Sequence, residues 1–383
     1  MATGTPMQQV AIVGAYNTKV ARHLEGETSL SLTVDALRGA LTDAGIDHRE
    51  VDGVNVVATA EPFASSHVVH MLGGRPSWTG GALVGVSAIL EAASAIAAGM
   101  CQTVVVANAQ AGSYTARPST APWTRPSNEF VECWGLYTAA EFALIAQRHM
   151  HLYGTTPEQL AEVASTIRTN GGQNPNAVYS GQVVTPEDVL NSRMVATPFH
   201  LLDCAMTAEG GSGLVLTTVE RARDLDVPLV RILGGGLDRR APSYHMGPVW
   251  DNVGDVGRWA AQKAFDMSGL QPTDVDVCEF YDPFSFEIIR QFEAYGFCGV
   301  GEGGPFIMDG RIKIDGEYPI VTDGGTMSFC HAGTAQLLQR IVSAVQQLRG
   351  AAEERQVADA EVAMVTNHGA GALFTDVALL GRD

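Results

Sequence analysis

Ala40-Leu-Thr-Asp-Ala-Gly45-Ile-Asp-His-Arg-Glu-Val51-Asp52 lines up without a gap against Ala264-Phe-Asp-Met-Ser-Gly269-Leu-Gln-Pro-Thr-Asp-Val275-Asp276. In both copies a helix end is followed by a glycine, an apolar residue, a polar turn, Val-Asp and a new apolar run. Glycine is the residue that ends helices in the left-handed conformation. A long-period repeat of this kind governs the fold and is read before local patterns. Two more pairs follow the same register. The turn and helix at 79–99 and the strand Thr103-Val-Val-Val-Ala-Asn108 echo the turn and helix at 332–350 and Val362-Ala-Met-Val-Thr-Asn367. Gly211-Ser-Gly-Leu-Val-Leu-Thr217 and Gly371-Ala-Leu-Phe-Thr-Asp-Val377 each close a copy as a strand.

Outward from the repeat, the chain divides into two pseudo-symmetric α/β halves, expected at 1–226 and 227–383, with the seam near Leu225-Asp-Val-Pro228. Each half is a mixed sheet covered by helices. Val10-Ala-Ile-Val-Gly14 supplies the first buried strand, and residues 30–45 a helix with Leu30, Val34, Leu37 and Leu41 on one face. A Rossmann reading of Gly14 fails, because GxGxxG spacing is absent. Between the first half's strands lies an insertion at about 110–200. It opens with the Pro- and Trp-rich loop Arg117–Pro126 and continues as helices over Tyr137–His151 and Glu158–Thr169. An excursion of this length on a repeated core reads as a lid or an oligomer contact.

Composition narrows the class. Hydrophobic residues make up 46% of 383 positions and charged ones 17%, which describes a compact α/β body and excludes a disordered chain. A net charge of −18 argues against nucleic acid, whose binding needs a basic stripe. The six cysteines at 101, 133, 204, 278, 298 and 330 form no CxxC or zinc spacing, so free thiols in a cytoplasmic setting are expected, with no metal. The N-terminus lacks a signal peptide's pattern, and the apolar run from Gly80 to Met100, which contains Glu91, reads as a buried helix rather than a membrane span.

The chemistry points to Val321-Thr-Asp-Gly-Gly-Thr-Met-Ser-Phe-Cys-His331, where paired glycines deliver a histidine just before a helix. Histidine moves protons near neutral pH. A second candidate is Tyr281-Asp-Pro-Phe284, and a third is His368 in the turn Asn367-His-Gly-Ala-Gly371.

Over nearly its whole length the chain resembles the thiolase superfamily, in particular the sterol-carrier-protein-type thiolases and their lipid-transfer-like relatives. The resemblance rests on Val10–Gly14, Ala143-Leu-Ile-Ala-Gln-Arg-His-Met-His-Leu-Tyr-Gly-Thr-Thr156, Leu201-Leu-Asp-Cys-Ala-Met-Thr-Ala-Glu-Gly-Gly211, Tyr281–Phe284, Gly324 to Gly333 and Leu348-Arg-Gly350. It implies a five-layered αβαβα fold and a dimer. A thiolase needs a nucleophilic cysteine before the first half's central helix, but Pro76-Ser-Trp-Thr-Gly-Gly81 has none, and the family's second cysteine turn reads Asn367-His-Gly-Ala-Gly371. The family's Gly-His-Pro turn reads Cys330-His331-Ala332, and its His-Asp-Cys-Phe motif reads Tyr281-Asp282-Pro283-Phe284. This exchange is similar to the steroid side-chain-cleaving aldolases, which split β-hydroxyacyl-CoA by retro-aldol cleavage with an OB-fold/zinc-ribbon partner.

The resemblance therefore implies a lyase whose only small-molecule requirement is the coenzyme A thioester itself. Tyr281 is expected as base and acid, His331 as donor to the enolate oxygen, and His368 as an assistant or water holder. Trp78, Thr79, Gly80, Phe284, Gly324, Gly325 and Gly369 are the candidate substrate-binding residues. The alternatives are a degenerate thiolase that binds acyl-CoA or lipid as a scaffold, and an acyltransferase with Ser77 or Thr79 as an unorthodox nucleophile.

Overall fold

The computed structural model describes residues 5–56, 65–73, 75–82, 85–112, 138–240, 250–333, 336–369 and 374–383. The Arg117–Pro126 loop, Cys133 and the glycine turn at 370–371 lie outside the described residues. In the first half come β1 (Val10–Asn17), α1 (Ser29–Ala44), β2 (Gly53–Val56), α2 (Ser65–Leu72), β3 (Trp78–Thr79), α3 (Gly85–Ala97) and β4 (Thr103–Gln110). The insertion carries α4 (Thr138–Tyr153), α5 (Pro157–Gln173), α6 (Pro186–Asn191) and the hairpin β5 (Met194–Ala196)–β6 (Phe199–His200). Then follow β7 (Gly210–Thr218), α7 (Val219–Ala222), β8 (Val230–Arg239), α8 (Trp250–Val253), α9 (Arg258–Ser268) and β9 (Val277–Glu279). The chain ends with α10 (Ser285–Ala294), α11 (Gly303–Phe306), α12 (Gln336–Leu348), β10 (Val362–Gly369) and β11 (Phe374–Arg382).

The main sheet runs β3-β2-β4-β7-β1-β8-β11-β10-β9. Its two sides repeat one pattern: β2 pairs parallel with β4, then β4–β7 and β7–β1 are antiparallel. Likewise β9 pairs parallel with β10, then β10–β11 and β11–β8 are antiparallel. The place of β3 beside β2 is taken in the second half by Ile320, bridged in parallel to Cys278. The halves join where β1 meets β8 at Ala11–Arg231 and Ile12–Val230.

The repeated stretch folds alike in both copies. Gly45 and Gly269 end α1 and α9 with φ of 65° and 75°, a conformation that favours glycine. The repeated Val-Asp has a concrete role: Asp52 accepts from the amides of Gln102 and Thr103 at the start of β4, and Asp276 from those of Glu361 and Val362 at the start of β10.

Three apolar clusters define the layers. α1 and α2 pack on the outer face of the first half. α3 and α12 lie in one cluster with strands of both halves. α9, α10 and the insertion helices α4 and α5 cover the second half's outer face. The order is αβαβα. α3 lies within the run from Gly80 to Met100, and its first residue, Gly85, has no side chain because a Cβ there would lie 2.0 Å from the Leu337 carbonyl of α12. Among the described residues no helix is long and apolar enough to cross a membrane.

Candidate active site

Three segments interlace at the C-terminal end of β9: 203–209 leading into β7, 281–284, and 323–331. The Ala205 amide donates to the Pro283 carbonyl at 2.9 Å, that of Met206 to Thr326 at 3.1 Å, and that of Ala208 to His331 at 3.1 Å. Backbone groups lodged this deep need partners, and each segment supplies them to the next.

The paired-glycine turn has a steric cause. Gly324 and Gly325 take φ of 96° and 60°. A Cβ on Gly324 would lie 2.2 Å from Gly171 Cα in α5, and one on Gly325 2.2 Å from Asp282 Oδ2. The missing side chains admit these protein neighbours. A π-helical turn, Gly325–Phe329, then carries the chain to His331.

Tyr281 is buried directly after β9. Its amide donates to Thr366 Oγ1 at 3.1 Å, and its carbonyl accepts from Gln291 Nε2 at 2.7 Å. Its ring meets that of His368 edge-on, with centroids 4.7 Å apart. The next residue, Asp282, is fully buried and accepts from the amides of Thr326 and Met327 and from Arg340 Nη2 at 2.8 Å. The same guanidinium donates through Nη1 to Asp323 Oδ1 at 3.1 Å. Burial pushes the Asp282 carboxyl up to about 6 despite the pull of Arg340. Burial, reinforced by the Asp323 charge, raises Glu279 to about 7, and its Oε1 accepts from Thr322 and Ser343.

His331 is also buried, and its Nδ1 lies 2.8 Å from the Met206 carbonyl. A carbonyl can only accept, so Nδ1 carries the proton and Nε2 of the neutral ring is an acceptor. Burial lowers the ring's pKa to about 4, with the Arg340 charge acting in the same direction. On this geometry His331 Nε2 is an acceptor at neutral pH, whereas the role expected from the sequence was a donor to an enolate oxygen.

His368 sits on β10, packed between Tyr281 and Phe142, with Nε2 3.3 Å from Glu287 Oε2. Its side chain is wholly enclosed, and burial with the nearby Arg290 charge holds it neutral. That enclosure suits a support behind the Tyr281 ring.

The remaining candidates are dispersed. Phe284 stacks on Phe199 at 5.0 Å and packs on Phe142 at 4.9 Å, which anchors the turn in the apolar core. Trp78 and Thr79 form β3, at the end of the strand order opposite β9, and Gly80 follows it with its amide bonded to the Val54 carbonyl. Gly369 ends β10 opposite Phe374. Ser77 Oγ donates to the Met100 carbonyl at 2.7 Å, which ties that hydroxyl to backbone. Glu91 of α3 reaches back to the amides of Gly81 and Ala82 and to Asn55 Nδ2, so the entry to α3 carries a carboxylate and no thiol. Cys330 is buried and its thiol is pushed up to about 12 by burial, far from a reactive thiolate.

Sequence reasoning missed the insertion's part in the site. Arg168 of α5 donates to the carbonyls of Leu202, Met327 and Cys204 at 2.8, 2.8 and 3.0 Å. Asn170 holds the Ile320 carbonyl at 2.9 Å, and Asn174 that of Asp323 at 2.9 Å. The 110–200 excursion is thus partly a wall of the site. Its one sequence signal was Arg168 and Asn170 near the end of α5, with Asn174 directly after it. Arg340 in the amphipathic α12 gave a similar signal.

The chain has clear relatives among known proteins. A family model described as Thiolase C-terminal domain-like matches residues 249–382. A steroid side-chain-cleaving aldolase of Thermomonospora curvata is 32% identical over 362 residues, covering 89% of this chain and 90% of the relative. The 17-hydroxy-3-oxo-4-pregnene-20-carboxyl-CoA lyase of Mycobacterium tuberculosis is 33% identical over 381 residues, covering 94% and 96%. The solved Ltp2-ChsH2(DUF35) aldolase superposes with a TM-score of 0.85 at 30% identity, covering 98% of each chain.

Proposed function

The chain belongs to the thiolase superfamily, beside its steroid side-chain-cleaving aldolases, and from that premise we propose that it cleaves a β-hydroxyacyl-CoA by a retro-aldol reaction. The products are a shortened acyl-CoA and a ketone or aldehyde, and a steroid side chain is the substrate class that its relatives favour. The observation that carries this reading is Tyr281 heading the buried Tyr-Asp turn while the entry to α3 has no thiol. A thioester exchange through an acyl-enzyme needs that thiol; a retro-aldol cleavage does not.

His331 Nε2 is assigned the base. It takes the β-hydroxyl proton, the O–H pair becomes the new carbonyl, and the Cα–Cβ pair moves onto Cα as the thioester enolate. Tyr281, whose phenol ordinarily titrates near ~10, is assigned the acid: it hydrogen-bonds the developing enolate and returns a proton to Cα. At pH 7 the neutral imidazole is in the state that can take a proton and the phenol is in the state that can give one. His368 is assigned to holding the Tyr281 ring.

By the same reading, the chain works in the cytoplasm with a partner subunit bearing an OB-fold and a zinc ribbon, and pairs with a second copy of itself. The test is steady-state turnover of β-hydroxyacyl-CoA by wild type, Tyr281→Phe and His331→Asn, each with the partner present. Loss of turnover in both variants with KM retained supports the assignment. Turnover unchanged in either removes that residue's role.

A further inference from the structure

Arg340 lies in α12 with its side chain wholly buried, and it joins the two turns that support the candidate catalytic groups. Asp282 directly follows Tyr281, and Asp323 opens the glycine turn that ends at His331. One guanidinium spans both, donating to Asp282 at 2.8 Å and to Asp323 at 3.1 Å. The carboxylates have little freedom to follow a displaced partner. Asp282 also receives the amides of Thr326 and Met327, and Asp323 receives the Gly325 amide and Gln339 Nε2.

Buried ion pairs are poor devices for stability alone, because desolvation offsets much of their attraction. They fix geometry well, and a planar guanidinium fixes it best, since its donors leave in set directions. We propose that Arg340 is the positioning residue of this site, setting the spacing between the Tyr281 turn and the His331 turn so that acid and base work on one substrate. This inference rests on the retro-aldol reading above. The charged and titratable groups around it are Asp282, Asp323, Glu279 of β9, Tyr281, His331 and, from α5, Arg168.

Arg340→Lys keeps the charge but replaces the fork with a point donor that cannot hold both carboxylates in these directions. The experiment measures its thermal midpoint, its kcat and KM across pH 5–9, and the aromatic NMR resonances of Tyr281 and His331 without substrate, assigned by their loss in Tyr281→Phe and His331→Asn. The proposal expects a folded protein with kcat down at least 10-fold, KM within about 2-fold, an altered pH profile, and displaced resonances for both rings. Wild-type kcat and pH profile in Arg340→Lys overturn it. Should Arg340→Lys fail to fold, the neutral pair Asp282→Asn/Arg340→Gln takes its place with the same expectations. Should wild type cleave no β-hydroxyacyl-CoA, the lyase reading falls and the resonances alone decide: unmoved rings overturn the positioning role, and moved rings uphold it.

Discussion

The Tyr281 ring packs edge-to-face against the His368 ring, with centroids 4.7 Å apart and planes at 82°. A residue from the second half's parallel strand thereby fixes the orientation of the residue that follows β9. Phenylalanine can make the same contact, since it depends on the ring and not the hydroxyl. Tyr281→Phe is therefore expected to keep stability within about 1 kcal/mol while kcat falls at least about 100-fold. Urea unfolding and product formation, measured on the same preparation, check both halves of that statement.

Acidification separates Asp282 from His331. His331 stays neutral until the pH falls to about 4, whereas Asp282 takes up a proton near 6. A protonated Asp282 no longer pairs fully with Arg340, so the acid limb of kcat is expected near pH 6 and belongs to Asp282. In Asp282→Asn that limb disappears and kcat is low throughout. A limb that persists near 6 in this variant assigns it elsewhere.

Stability should follow the same groups with definite signs. The folded state raises Glu279 from 4.5 to about 7, so its contribution is fully present below pH 4.5 and is lost as pH rises through 7. His331 acts oppositely: its contribution is present above 6.5 and is lost as pH falls through 4. Glu279→Gln, which cannot ionise, is expected to flatten the decline between about pH 4.5 and 7. Denaturation midpoints across that range test it; an unchanged slope counts against the assignment.

Glycines separate into two classes. Gly325→Ala puts a methyl group 2.2 Å from Asp282 Oδ2 at a positive φ, so a loss of about 3 kcal/mol or more and of all turnover is expected. Gly45→Ala meets nothing within 4 Å and should cost only about 1 kcal/mol, from φ strain alone. Paired melting curves distinguish them.

The entry to α3 predicts a negative result. A cysteine placed at Ala82 would lie beside the Glu91 carboxylate, whose charge disfavours a thiolate. Ala82→Cys is expected to form no acyl adduct with acyl-CoA by intact mass, as is wild type. An adduct in wild type would restore the acyltransferase reading.

Much of the architecture was legible because the repeat is written in local signals. Gly45 and Gly269 had to end helices, and Val51-Asp52 and Val275-Asp276 had to open strands, whatever lay around them. Tyr281 and His331 were legible as chemistry because their types are unusual in otherwise apolar, glycine-rich turns. Their roles were not, since the His331 tautomer is set by the Met206 carbonyl, 125 residues away in the chain. The same holds for Arg340 and Arg168, whose partners are joined only by the tertiary fold.

The most direct test of the account is incubation with a panel of β-hydroxyacyl-CoAs, with and without an OB-fold/zinc-ribbon partner, followed by mass spectrometry of the coenzyme A products. The account predicts a shortened acyl-CoA together with a ketone or aldehyde, abolished in Tyr281→Phe. Intact acyl-CoA that binds but is never cleaved, with any partner, would contradict it and leave an acyl-CoA-binding scaffold.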